Sequence, residues 1–216
     1  KGWEYMKKID STNGTAEISR RQAAIVAGVS LLLMAIFAPI ANFGSIMSLI
    51  VEGDPSATFS NISSSIGMFR IGILLLLAVA VLDVLVAWAI HILFAHICKE
   101  LSLITAWFRV VYAAIFGCSI NHLVQALSFV KGIGIDNLGA SHSSTQVMLQ
   151  LNAFLSGWDL GLLVFGAHLL LLGYLITKSI DFPKFLGVLI AIAGLGYVVD
   201  SVGKIIIDGY SLTVSM

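Results

Sequence analysis

Charge is scarce in this chain. Only 11% of its 216 residues are Asp, Glu, Lys or Arg, against about 25% in an ordinary soluble domain. Mean hydropathy is +0.99 and 58% of residues are hydrophobic, more apolar surface than a soluble fold could hide. Twelve basic and twelve acidic residues give a formal net charge of zero, which removes the electrostatic case for nucleic acid. Two cysteines, Cys98 and Cys118, lack disulfide or zinc-ligand spacing and read as small buried apolar residues. No Ser/His/Asp triad, phosphate loop or paired-cysteine motif is found. Gly132-Ile133-Gly134 lacks the flanking strand and helix of a dinucleotide fingerprint and is turn chemistry. The N-terminal 22 residues are polar and the apolar run after them is too long for a signal-peptide core, so that run reads as a first span.

What the chain has instead is long apolar runs. Each crossing helix needs about 20 residues, and hydropathy predicts five, at about 23–50, 66–97, 101–130, 147–178 and 184–207. The expected architecture is an all-α bundle of five transmembrane helices with no extramembrane module. Residues 1–22 form a cytoplasmic segment, 23–208 the membrane domain and 209–216 an exoplasmic tail. Lys1, Lys7, Lys8, Arg20, Arg21, Lys99, Lys178 and Lys184 fall at one end of the spans, while the opposite loops hold only Lys131. The positive-inside rule then places the N-terminus in the cytoplasm.

Punctuation marks the connections. Gly53-Asp54-Pro55 with the Ser/Asn-rich stretch 60–65 makes one loop, and Lys131 to Ser144 another. The joints at 98–100 and 179–183 are so short that the helices they join must be antiparallel neighbours. Pro183 is suited to start the last helix, and Pro39, followed by Asn42, is the expected kink in the first. Residues 146–157 are too polar for lipid. They read either as an interfacial helix ended by Gly157 or as an extension of the fourth span.

Ionised side chains lie inside four of the runs: Asp83, Arg109, Asp159 and Asp200. Each costs at least about 2.5–3.5 kcal/mol on insertion scales unless paired or lining a polar cavity. Counting helical rise from the basic end puts Arg109 at about 12 Å, His168 and Tyr112 near 15 Å, Asp83 and Tyr197 near 20 Å, Asp200 and Asp159 at about 25–28 Å, and Lys204 near 30 Å. The expectation is one midplane layer, with Arg109 paired to one or two of Asp83, Asp159 and Asp200, and Lys204 bonded to Asp200 or Asp208. His168 falls on the face of its helix opposite Asp159. His91, His96, His122 and His142 do not gather at one depth, so packing histidines are expected, with a metal or bis-His haem site as the alternative. Trp88, Trp107 and Trp158 suit anchoring, packing or ligand stacking.

Five ordered motifs carry a likeness to a known family: Leu82–Trp88 (LDVLVAW), Ala106–Tyr112 (AWFRVVY), Gly157–Asp159 (GWD), His168–Tyr174 (HLLLLGY) and Gly194–Ser201 (GLGYVVDS). From about residue 20 to 208 the chain resembles a bacterial multi-pass membrane family known as domain of unknown function 4386. The resemblance implies an inner-membrane helical bundle and supplies no activity or cofactor. Its recurring polar positions match Asp83, Arg109, Asp159, His168 and Asp200.

Three function classes follow from these residues. The leading one is binding or transport of a small molecule, lipid or ion through a midplane polar cavity, with Asp83, Arg109, Tyr112, Asp159, His168, Tyr197, Asp200 and Lys204 as its lining. An intramembrane enzyme, with carboxylates as acid and base and His168 or His91 as metal ligand, is the second. A structural or partner-binding subunit is the third. Membrane lipids and a small or ionic ligand are the expected partners, together with a second copy of the chain. Gly166, Gly173, Gly187 and Gly194 are small enough to close the bundle or to join two copies.

Overall fold

The computed structural model describes residues 19–133 and 140–207, with the backbone alone at 140 and 141. Every regular element among them is helical. In chain order they are α1 (Arg20–Ala41), α2 (Pro55–Ser64), α3 (Ile66–Phe94), α4 (Lys99–Val130), α5 (Ala140–Lys178) and α6 (Lys184–Ile206). Five of the six are long and apolar enough to cross a membrane. A helix satisfies its own backbone donors and acceptors, which is what hydrocarbon surroundings demand. By length and composition the chain is a multi-pass integral membrane protein.

Local chemistry sets where the helices start and stop. Ser19 and Gln22 form a reciprocal capping box at the head of α1, satisfying two free amide groups. Pro39 does not end α1. The helix runs on to Ala41, widens into a π turn at Asn42–Ile46 and tightens into a 3-10 turn at Met47–Leu49. The irregularity expected at the proline is therefore displaced into the turns just after it. Pro183 is the N-cap of α6, one place before its first turn.

Two connections differ from the sequence reading. The stretch expected to be a loop after Gly53 contains α2, because Asp54 accepts hydrogen bonds from the Ser56 and Ala57 amides at 3.0 and 2.9 Å and Pro55 occupies the first turn. Thr58 and Ile62 are then buried on its inner face, where α2 packs against α5. The connection begun at Lys131 is shorter than expected, since helix resumes at Ala140. Residues 146–157 belong to one continuous helix, so the extension reading holds and the separate interfacial helix does not. Gly157 is a site of close approach, not a break: an added Cβ there would collide with Ser119 of α4.

Packing follows the order of the chain. α1 lies along α3, α3 along α4, α4 along α5 and α5 along α6. The glycines at the last contact close the bundle within one chain. A Cβ on Gly173 would fall 2.5 Å from the Gly187 carbonyl oxygen, and one on Gly194 would fall 2.8 Å from that of Gly166. Small residues thus let the two backbones touch. At the basic end, Asp181 in the α5–α6 joint forms an ion pair with Arg20 of α1 and lies 3.7 Å from His96 beyond α3. Beneath them the Phe94 and Phe182 rings meet at 5.7 Å.

Both cysteines are exposed, contrary to expectation. Cys98 sits at the N-cap of α4. Cys118 turns outward on the side that a bilayer would cover; it is apolar in its setting but not buried in protein.

Candidate functional site

The helix bounds correct the depth ruler. α3 ends at Phe94, three residues earlier than hydropathy suggested, so Asp83 lies 11 residues from its end. Arg109 lies 10 residues from the start of α4, and His168 lies 10 from the end of α5. At about 1.5 Å per residue all three stand about 15–17 Å from the basic end.

They meet there. Arg109 Nη2 and Asp83 Oδ1 are 2.6 Å apart, with the side chains only 4% and 1% exposed. The contact is a close ion pair, and Asp83 Oδ2 has no hydrogen-bond partner. His168, fully buried, completes the group. Its Nδ1 is 2.8 Å from the Thr105 carbonyl oxygen, which can only accept, so Nδ1 carries the proton. Nε2 is therefore the bare nitrogen, and Arg109 Nη1 donates to it across 3.3 Å. Phe165, one turn before His168, lays its ring 5.4 Å from the guanidinium carbon, in cation–π range. Arg109 Nε has no acceptor. The cluster is electrically balanced, one cation to one anion beside a neutral imidazole, yet its donors are not all used.

Asp159, Asp200 and Lys204 are elsewhere. Lys204 Nζ lies 3.1 Å from Asp200 Oδ2, the pairing expected, and 2.9 Å from Asp159 Oδ1, so Asp159, offered as one of the acids for Arg109, belongs to Lys204 instead. This outer group is 22–37% exposed, and Ser201 fastens it by donating to the Asp159 carbonyl oxygen at 3.1 Å. The single midplane layer is thus two layers. The depth count misplaced Asp83 by the error in the end of α3, and face counting could not say that Lys204 is within reach of two helices. Asp208 lies outside the described residues.

Aromatic rings separate the layers. Tyr112 packs against Phe116 and Phe165, with centroids 6.0 and 4.7 Å apart, and Phe165 meets Tyr197 edge-on at 5.9 Å. Tyr112 is buried, whereas Tyr197 is 38% exposed. His168, expected as an outlier, is at the hub. The other histidines have local partners: Ser102 for His91 at 3.0 Å and Gln150 for His122 at 2.7 Å. Among the described residues no three metal-capable side chains come together.

A cavity of about 640 Å³ lies beside the inner cluster, within the 300–1,000 Å³ usual for small-molecule sites. Its α1 wall runs from Ala24 through Gly28 to Ala35, Ile190 of α6 stands opposite, and Val86, Leu169 and Leu172 lie between. Arg109 and Phe165 line its inner part and Phe182 lies toward the basic end; Arg109 is the one charged residue in the lining. The expected polar cavity is therefore an apolar groove with one polar point. It reaches the outer surface, since Leu31 and Phe182 in its lining are 46% and 37% exposed. A second concavity, of about 460 Å³ around Trp107 and Phe108, is wholly apolar and lies on the outside of α4.

Sequence reasoning missed Phe165 and the groove, although signals existed for both. Phe165 stands three residues from His168 and so shares its face. Ala24, Ala27, Gly28, Leu31 and Ala35 follow helical spacing with mostly small residues, the pattern of a helix face that leaves room beside it.

Comparison with known proteins adds no chemistry. An uncharacterized protein of Archaeoglobus fulgidus is 36% identical over 146 residues, covering 68% of this chain and 72% of the relative. No solved structure matches. The family model described as "Domain of unknown function (DUF4386)" matches residues 26–216, nearly the whole membrane bundle, and the chain belongs to that family.

Proposed function

We propose that this protein binds a small molecule or lipid, drawn from the bilayer, in the groove between α1 and α6, and that it serves the transport of that ligand. The observation that carries the reading is the meeting of a mostly apolar cavity with one buried arginine in its lining. Ligand sites typically combine an apolar lining with a few placed polar groups. Gly28 supplies the test, because it lines the groove and a side chain there meets nothing within 4 Å. Gly28→Leu puts a branched side chain into the cavity while leaving the helix contacts intact. Extracts of purified wild type and variant, compared by mass spectrometry, should show a roughly stoichiometric molecule that the variant loses. Equal content in both would overturn the reading.

A second reading has its own support. The Arg109–Asp83–His168 group ties α3, α4 and α5 together with matched charge, as a purely structural lock would. Metal-dependent enzyme chemistry would need several ligating side chains at one point, which the described residues do not bring together. The gathering of Arg20, Arg21, Lys99, Lys178 and Lys184 at one end favours a cytoplasmic orientation for that end, in a bacterial cytoplasmic membrane. A homodimer also belongs to the proposal, and it would use another face, because the α5 and α6 glycines are occupied within the chain.

A further inference from the structure

Resting on the groove reading, the charge and dimensions of the site narrow its ligand. We infer that the ligand is a neutral, largely apolar molecule about one leaflet long, carrying a carbonyl-type acceptor that meets Arg109 in the inner part of the groove.

Length comes first. The α1 wall from Ala24 to Ala35 covers 11 residues of rise, about 16 Å, and half of a hydrocarbon core is about 15 Å. A single extended chain matches that dimension, with its far end beneath the Phe94–Phe182 contact.

Charge comes next. Arg109 already faces Asp83 at 2.6 Å, with both buried. An anionic head would put a second negative charge beside a carboxylate with only one cation to serve them. It would also have to reach mid-membrane depth through hydrocarbon, where an ionised group is heavily penalised. A neutral acceptor meets neither obstacle.

Hydrogen bonding completes the match. Arg109 presents five N–H groups. One faces Asp83 and one is given to His168, while Nε has no acceptor. Nε is closed off from the groove, so what a ligand can meet is the second N–H of an Nη atom, and a carbonyl oxygen accepts from it without adding charge. His168 cannot serve as a second donor toward the groove, because its only proton is held by Thr105.

The experiment compares two probes of equal chain length, a long-chain methyl ketone and an alkylsulfonate, binding to the full-length protein in lipid nanodiscs. A sulfonate stays ionised, so it cannot enter as a neutral acid. The ketone should bind saturably and about tenfold or more tighter than the sulfonate, and Gly28→Leu should abolish that binding. Asp83→Asn, which leaves Arg109 without a counter-charge, should move the preference toward the sulfonate. If the sulfonate binds wild type as well as the ketone does, and Gly28→Leu removes both, the neutral ligand is wrong while the groove stands. If neither probe binds saturably, or Gly28→Leu leaves binding unchanged, the groove reading falls as well.

Discussion

The two charged groups of this bundle use similar side chains under opposite conditions. Arg109 and Asp83 are 4% and 1% exposed and meet at 2.6 Å, while Lys204, Asp159 and Asp200 are 22–37% exposed at 2.9–3.1 Å. The inner pair has lost its solvation and depends on its partner, so removing one member strands the other in apolar surroundings. The outer group is open at the protein surface, and Lys204 stands two residues from the end of α6, where headgroups and water would screen it. Similar distances therefore carry unequal energies. The choice of cation follows the same division: a planar guanidinium can serve an acid, an imidazole and an aromatic face together, whereas a lysine acts as a compact charge reaching two acids.

The strongest way to break this contrast is Arg109→Gln. It leaves Asp83 buried without a counter-charge and should cost about 3–5 kcal/mol, read as a large fall in thermal unfolding temperature in detergent. Arg109→Gln combined with Asp83→Asn should recover most of that loss. A double variant as unstable as the single one would show that charge pairing is not the source of the effect.

A test by packing alone comes next in size. Gly173→Leu drives a side chain toward the Gly187 carbonyl, 2.5 Å from where its Cβ would stand. Overpacking of this kind costs about 1–3 kcal/mol. Unfolding temperature should drop without any change in the probe preference of the groove, which separates the α5–α6 contact from the Arg109 cluster.

Smaller effects are expected where exposure is greater. Lys204→Gln should change stability by no more than about 1 kcal/mol and leave ligand retention unaltered; a loss matching that of Arg109→Gln would erase the distinction between the layers. Arg20→Ala, at an ion pair whose members are 50% and 42% exposed, should be the mildest, about 0–0.5 kcal/mol by the same reasoning. Its effect should shrink further as salt is raised, measured in the same thermal assay.

The sequence revealed most of the architecture because hydrocarbon leaves few options. Five long apolar runs with short polar joints have one economical reading, and the helices found match it in number and type. The misses were local. Asp54-Pro55 looked like a loop signal, yet the same residues also form a helix cap, and only the burial of Thr58 and Ile62 against a distant segment decides between the two. Within the site, Arg109 and Asp83 were identifiable as buried charges, but pairing depends on where each helix ends, and three residues at the end of α3 were enough to blur it. The groove left the weakest trace. A cavity is an arrangement of spaces between elements, and hydropathy records what residues are, not what stands apart from them.

α5 has 39 residues, about 58 Å of rise. A tilt of 40° lengthens the path through a core of about 30 Å only to about 39 Å, so several turns must stand clear of the hydrocarbon. α2 is seated against α5, so a second helix lies beside the long one. For image alignment in electron microscopy, or for raising a conformation-specific antibody fragment, this overhang offers a native fiducial on a protein built mainly of membrane-length helices.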